Sequence, residues 1–166
     1  MRRFGVGFVI GCLLASCGYS FHGSLPPHIK SIAVLVLENK TQKPGVESLI
    51  TSALVEAISS SGRVRSMARE QADAILSGAV VGYSIESVAF DRSANATQYR
   101  LHITLNLTLR DVKLNEDLWK EDGIQERADF KVPGQVSATL IAEEDALRRA
   151  SVDIARAVVN RAIEGF

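Results

Sequence analysis

Cysteine is nearly absent from this chain: among 166 residues only Cys12 and Cys17 carry a thiol, both near the start. The body of the chain therefore has no disulfide, thiolate metal site or cysteine nucleophile open to it. Histidine is almost as scarce. His22 and His28 fall in a lead segment containing glycine and proline, and His102 sits far downstream in a strand pattern, which reads as surface histidine and not as metal ligation. There is no Gly-x-Ser-x-Gly, no His-Glu-x-x-His and no phosphate-cradling glycine loop, so neither catalysis nor a cofactor is expected. Excess charge is missing too, with 19 basic against 19 acidic residues. A general nucleic-acid binder is normally strongly basic, and that class is excluded.

What is present is the composition of a folded domain, 46% hydrophobic and 23% charged residues. The length suits one domain of roughly 100 to 200 residues. The first sixteen residues stand apart. Arg2 and Arg3 precede an almost wholly apolar run from Phe4 to Leu14, followed by the small pair Ala15-Ser16. That run is shorter than the roughly 20 residues of a membrane span and ends in small residues, so 1–16 reads as a secretory signal peptide. Leu14-Ala15-Ser16-Cys17 resembles the bacterial lipobox, whose cysteine receives a diacylglyceryl group before cleavage. Cys17 is then the lipidated first residue of the mature chain. Val9-Ile10-Gly11-Cys12 fits loosely, but cutting there leaves Leu13 and Leu14 on the mature end after a very short apolar region. Gly18 in place of an aspartate after the cysteine favours the outer membrane.

Residues 17–28 read as an extended tether, with Pro26-Pro27 near its end. Ile29 to Leu37 is apolar on both alternating faces and predicts a strand covered on both sides. Val46, Leu49, Ile50, Ala53, Leu54, Ala57 and Ile58 follow helical spacing between Pro44 and Gly62, and the opposite face, including Thr51, is expected to be solvated. Ala72 to Val88 predicts a second strand with a bulge near Gly78 and Gly82. The clearest strand follows, with Tyr99, Leu101, Ile103, Leu105, Leu107 and Leu109 on one face and Arg100, His102, Thr104, Asn106, Thr108 and Arg110 on the other. A fourth, weaker strand runs from Leu118-Trp119 to Phe130, with Trp119 as its core anchor. Pro133-Gly134 breaks the chain, and Thr139 to Glu164 predicts a helix with a broad apolar side that includes Val152. The order β-α-β-β-β-α predicts an α+β fold, two helices packed on one face of a four-stranded, mostly antiparallel sheet.

Two charged groups invite a functional reading. Glu143-Glu144-Asp145 at the start of the last helix is accounted for by the helix dipole. Arg100 and Arg110, with Arg92 in the loop before them, form either an ordinary solvated strand face or an anion-binding surface, since guanidinium groups meet phosphate through paired, charge-assisted hydrogen bonds.

The lipobox followed by Gly18-Tyr19-Ser20-Phe21, then Ser24-Leu25-Pro26-Pro27-His28-Ile29-Lys30 leading into the first strand, resembles the LPS-assembly lipoprotein LptE family. Glu38-Asn39-Lys40-Thr41, Pro44-Gly45-Val46-Glu47, Ala72 to Gly78 and Leu118-Trp119 extend the likeness over the mature chain. The resemblance implies a single LptE-like domain over 29–166 and no enzyme activity. It also implies an outer-membrane lipoprotein on the periplasmic face that sits partly inside the β-barrel outer-membrane protein LptD and helps deliver lipopolysaccharide to the outer leaflet. Lipopolysaccharide is then the ligand that Arg92, Arg100 and Arg110 would meet, and outer-membrane lipid holds the chain through Cys17. The alternative is an accessory or scaffold periplasmic lipoprotein of another envelope lipid-trafficking complex.

Overall fold

The computed structural model describes residues 25–132 and 136–165; the expected signal peptide, Cys12, Cys17, His22 and Pro133-Gly134 lie outside the described residues. Chain order is β1 (Ser31–Val34), β2 (Glu38–Asn39), α1 (Val46–Ser60), β3 (Arg65–Ser66), a 3-10 turn (Arg69–Gln71), β4 (Ala74–Phe90), β5 (Ala96–Asp111), β6 (Asp117–Lys131) and α2 (Val136–Val159), which ends in a π-helical turn (Asn160–Glu164).

The strict alternation of β5 does what such a pattern must. Leu101, Ile103, Leu105, Leu107 and Leu109 are all at most 1% exposed, while Arg100, His102, Thr104, Asn106 and Thr108 are half-buried on the other face. Burying each of these aliphatic side chains is worth about 1.5–3 kcal/mol, so β5 is the spine of the domain. It pairs antiparallel with β4 on one side and β6 on the other. The register slips between Val80 and Gly82, the bulge expected near the glycines. At Gly78 the strands come close: a Cβ there would lie 2.1 Å from the Asn106 carbonyl oxygen.

Both helices cover the leucine face. Val46, Ile50, Leu54 and Ile58 of α1 and Ala146, Leu147, Ala150, Ile154, Ala155 and Val158 of α2 share one core with Leu101 to Leu109. Trp119, opposite Leu109 in the register, is partly buried against the same core, and Tyr99 stacks on Phe130 with ring centroids 5.7 Å apart. Val152, expected in the apolar stripe of α2, is instead 44% exposed and lines a groove of about 330 Å³ between the helices with Ala53, Ala57 and Ala155.

The α+β class and its two helices hold, but the sheet is mixed and, among the described residues, has six strands where four, mostly antiparallel, were expected. β1 runs parallel to both neighbours, β3 and β4, and β2 is also parallel to β4. The physical reason is the helix between β1 and β3: a strand-helix-strand crossover returns the chain in the same direction, and parallel pairing follows. The expected first strand splits because Leu37 N–H donates to the Thr51 hydroxyl at 3.1 Å and not to β4, while Leu35 N–H and Lys40 N–H still donate to Leu76 and Val80 carbonyls. Thr51 is thus buried, not solvated, and its hydroxyl also donates to the Glu47 carbonyl.

Candidate functional site

Three places combine charge, position and defined geometry. The first is the uncovered face of the sheet. Alternation aims Arg100 and Arg110 away from the helices, but neither stands alone. Arg100 grips Asp129 of β6 with Nε on Oδ1 at 2.7 Å and Nη2 on Oδ2 at 2.9 Å, and Arg110 Nε donates to Asp117 Oδ1 at 2.7 Å. Each carboxylate is held below its usual range, first by the hydrogen bond from its arginine. His102 Nε2 lies 2.8 Å from Glu86 Oε1.

Arg92 occupies the β4–β5 turn. There Asp91 Oδ1 accepts the Ser93 and Asn95 N–H groups, and Arg92 is exposed. Ten residues of extended chain separate Arg100 from Arg110, about 33 Å, so the expected row divides. Arg92 and Arg100 belong to the turn end of the sheet and Arg110 to the opposite end. The register adds three cations that the sequence reading missed, Lys131 opposite Gln98, Arg127 opposite His102 and Lys120 opposite Thr108. The weak patterning of β6 hid them, because only the pairing register says which of its charges share a face with Arg100 and Arg110.

The second place is the corner where the chain enters the domain. His28 Nε2 lies 2.6 Å from Asp111 Oδ2 at the end of β5, and the Asp111 side chain is wholly shielded from solvent. Asp111 Oδ1 accepts the N–H groups of Lys113 and Leu114. The Leu114 N–H, then His28 and the Lys113 N–H, hold the Asp111 carboxyl below the usual range against the cost of burial. Beside it Asp73 Oδ2 accepts the Ser31 hydroxyl at 2.7 Å and the Lys30 N–H at 3.0 Å. Leu25 packs against the core and Ile29 N–H donates to the Pro26 carbonyl, so the last residues of the expected tether, His28 included, are part of the folded unit.

The third place joins both layers. Glu143 Oε1 accepts from Lys43 Nζ and from the Tyr83 hydroxyl, each at 2.6 Å, and Lys43 lies 5.7 Å from the centre of the Tyr83 ring. Burial pushes the Glu143 carboxyl up, but the Lys43 and Tyr83 hydrogen bonds and the Lys43 charge outweigh it and hold the carboxyl low. Burial, then the bond and charge of Glu143, push the Tyr83 hydroxyl up. The dipole account of Glu143 fails on position: α2 starts at Val136, leaving Glu143 beyond the first turn, where the N-terminal partial charge has faded. Its charge is matched by Lys43, from the segment before α1, so the cluster is a clamp between α2, β4 and that segment.

Among the described residues no group of histidine, cysteine, aspartate and glutamate could hold a metal ion, and every buried side-chain polar atom has a hydrogen-bond partner. No described helix is long and apolar enough to cross a membrane.

No curated protein matches the chain in sequence. Solved structures share its fold. PelC of Paraburkholderia phytofirmans, solved as a dodecamer, superposes with a TM-score of 0.55 at 17% identity, over 86% of this chain and 95% of that one. Lipoprotein B of Nitrosomonas europaea gives 0.53 at 17% identity, over 82% and 85%. A minor lipoprotein of Acinetobacter baumannii gives 0.51 at 14%, over 82% and 92%. At such identities the likeness establishes the fold alone. The family model described as LptE, lipopolysaccharide-assembly, matches residues 29–162, from the first residue after the His28 corner to the last turn of the chain. The chain belongs to the LptE lipopolysaccharide-assembly family.

Proposed function

We propose that this chain is an outer-membrane lipoprotein, anchored on the periplasmic face through lipid on Cys17, that assists lipopolysaccharide transport as the partner or plug of the β-barrel LptD. The observation that carries the reading is the family match across 29–162, joined to the lipobox ending at Cys17. A lipidated bacterial cysteine ends with several acyl chains, enough for stable anchoring where one chain gives only marginal binding. The role is one of binding and assembly, without catalysis.

In this reading lipopolysaccharide phosphates meet the uncovered sheet face at Arg92, Arg100 and Arg110. The division of that row makes Arg92 and Arg100 one contact, with Arg127 close by, and Arg110 another. Arg100 and Arg110 already bond Asp129 and Asp117, so a phosphate must share or displace a carboxylate. Binding at each contact is then weak, exposed and salt-sensitive.

Mild detergent extraction of the lipidated protein tests the partnership. Co-purification of a large β-barrel is expected. Recovery with other envelope components and no barrel would return the alternative, an accessory or scaffold lipoprotein of another lipid-trafficking complex. Labelled fatty acid should enter the parent and not Cys17→Ser; label on that variant would move the anchor to Cys12.

A further inference from the structure

We propose that the free edge of β4 around Gly82 to Ser87 is a strand-addition site, where a lumenal loop of the barrel partner lies extended and continues the sheet. The inference rests on the plug reading above. β1 pairs with Ala74 to Leu76 of β4 and β2 with Ala79 and Val80; beyond Val80, among the described residues, β4 is paired with β5 alone. The chain leaves that edge at Lys40, whose N–H donates to the Val80 carbonyl before the turn into α1. From Gly82 to Ser87 the register with β5 is unbroken, so a regular run of strand presents backbone N–H and C=O groups with no strand beside them, a template on which another strand pairs.

The side chains match the backbone. Val81, Ile85 and Val88 are each 36–37% exposed, and the one charge in the run, Glu86, is bonded to His102. α2 adds apolar surface beside them. It runs away from the β4–β5 turn, as Arg149 reaches the Asp129 carbonyl and Arg161 reaches Glu121, whereas β4 runs toward that turn. Glu143 of α2 is bonded to Tyr83 of β4, so one helical turn back, to Leu140, and two strand residues forward, to Ile85, lead the same way. Leu140, 58% exposed, is thereby placed beside Ile85. α1 leaves this end open: it starts at Val46 and runs toward β3 beside Ser31, away from the turn. The opposite edge of the sheet differs. β6 carries Lys120, Glu121, Asp122, Glu126 and Arg127, and charges on an edge strand keep other strands from pairing with it.

The occupant follows from where a plug sits. The wall of a transmembrane barrel is closed and offers no edge, and its interior side chains are polar, so the wall itself covers neither the unpaired backbone nor Ile85 and Leu140. A loop folded into the lumen has backbone groups free to pair with β4. Its alternate residues, apolar on one side, would meet Ile85 and Leu140, and no charge is required of it.

The test uses the lipidated full-length mature protein in its own membrane, with p-benzoylphenylalanine in place of Ile85, Ser87 or, as the control on β6, Glu126. Light is expected to crosslink positions 85 and 87 to the barrel within a few residues of each other on one lumenal loop, and position 126 not to reach that loop. Ile85→Lys combined with Ser87→Lys gives this edge the kind of charge β6 has; the folded double variant should lose most of the co-purifying barrel. Barrel recovered with the parent, but crosslinks from 85 and 87 confined to wall strands or to a second copy of this chain, would overturn the proposal and leave the plug reading standing, as would parental recovery of barrel by the double variant. A parent that recovers no barrel would overturn both.

Discussion

His28 and Asp111 are 83 positions apart in the chain and 2.6 Å apart in the fold, and the carboxylate of that pair is wholly shielded from solvent. A carboxyl whose folded-state pKa is depressed contributes stability that is present above its unfolded value, about 3.9, and lost as pH falls through the lower folded value. Asp111 is of this kind, held low by the Leu114 N–H, His28 and the Lys113 N–H. Asp111→Asn is therefore expected to melt lower than the parent at neutral pH and to lose less on acidification below about pH 4. Thermal melts across a pH series decide it, and identical acid slopes would mean that the pair adds nothing through charge. Asp73, Asp91, Asp117 and Asp129 are also held low, so the slope should flatten without vanishing.

Glu143 gives the second prediction. Glu143→Ala leaves the Lys43 ammonium and the Tyr83 hydroxyl without their shared acceptor, a loss of about 1–3 kcal/mol by the usual cost of orphaned polar groups. Tyr83→Phe removes one donor only and should cost less. Chemical denaturation of both variants checks the order; a milder effect from Glu143→Ala than from Tyr83→Phe would show that the clamp is not centred on the carboxylate.

Leu105 and Ile154 are at most 1% exposed in one core shared by β5 and α2. Either residue changed to Ala is expected to cost about 2–5 kcal/mol, a large share of the stability of a domain this size. Unchanged melting temperatures in both variants would contradict the assigned core faces.

These expectations show which parts of the fold are written locally. The period-two pattern of β5 and the 3.6-period stripe of α1 are repeated many times within one element, so both could be read directly, as could the bulge near Gly82. The two-residue strands β2 and β3 carry too few positions for any period, and the parallel pairing of β1 depends on where α1 returns the chain. Thr51 was misplaced because its hydroxyl takes the Leu37 backbone N–H, a partner outside the helix that helical spacing does not show. Glu143 was misread because its partners are 60 and 100 residues away, distances at which spacing says nothing. The Arg100 and Arg110 face was legible, but their carboxylates on β6 were not, since pairing across strands is a property of register.

That pairing changes how the arginine surface should be probed. Reversing Arg100 or Arg110 to Glu would set like charges against Asp129 and Asp117 and perturb the sheet itself. Replacing Arg92, Arg100 and Arg110 together by Gln removes the charge and keeps a hydrogen-bonding group. The triple variant should bind lipopolysaccharide more weakly than the parent, with a flatter dependence on salt, while Arg110→Gln alone leaves the Arg92 and Arg100 contact intact. Equal binding by parent and triple variant across a salt series would reduce the face to solvated strand surface.

The central claim, that this lipoprotein serves lipopolysaccharide assembly at the outer membrane, is tested most directly by depleting it from its own cell and measuring lipopolysaccharide on the cell surface. The account predicts that surface lipopolysaccharide falls, that newly made lipopolysaccharide accumulates behind the outer leaflet, and that restored wild-type protein, but not Cys17→Ser, reverses both. Surface lipopolysaccharide at the parental level after complete depletion would contradict it.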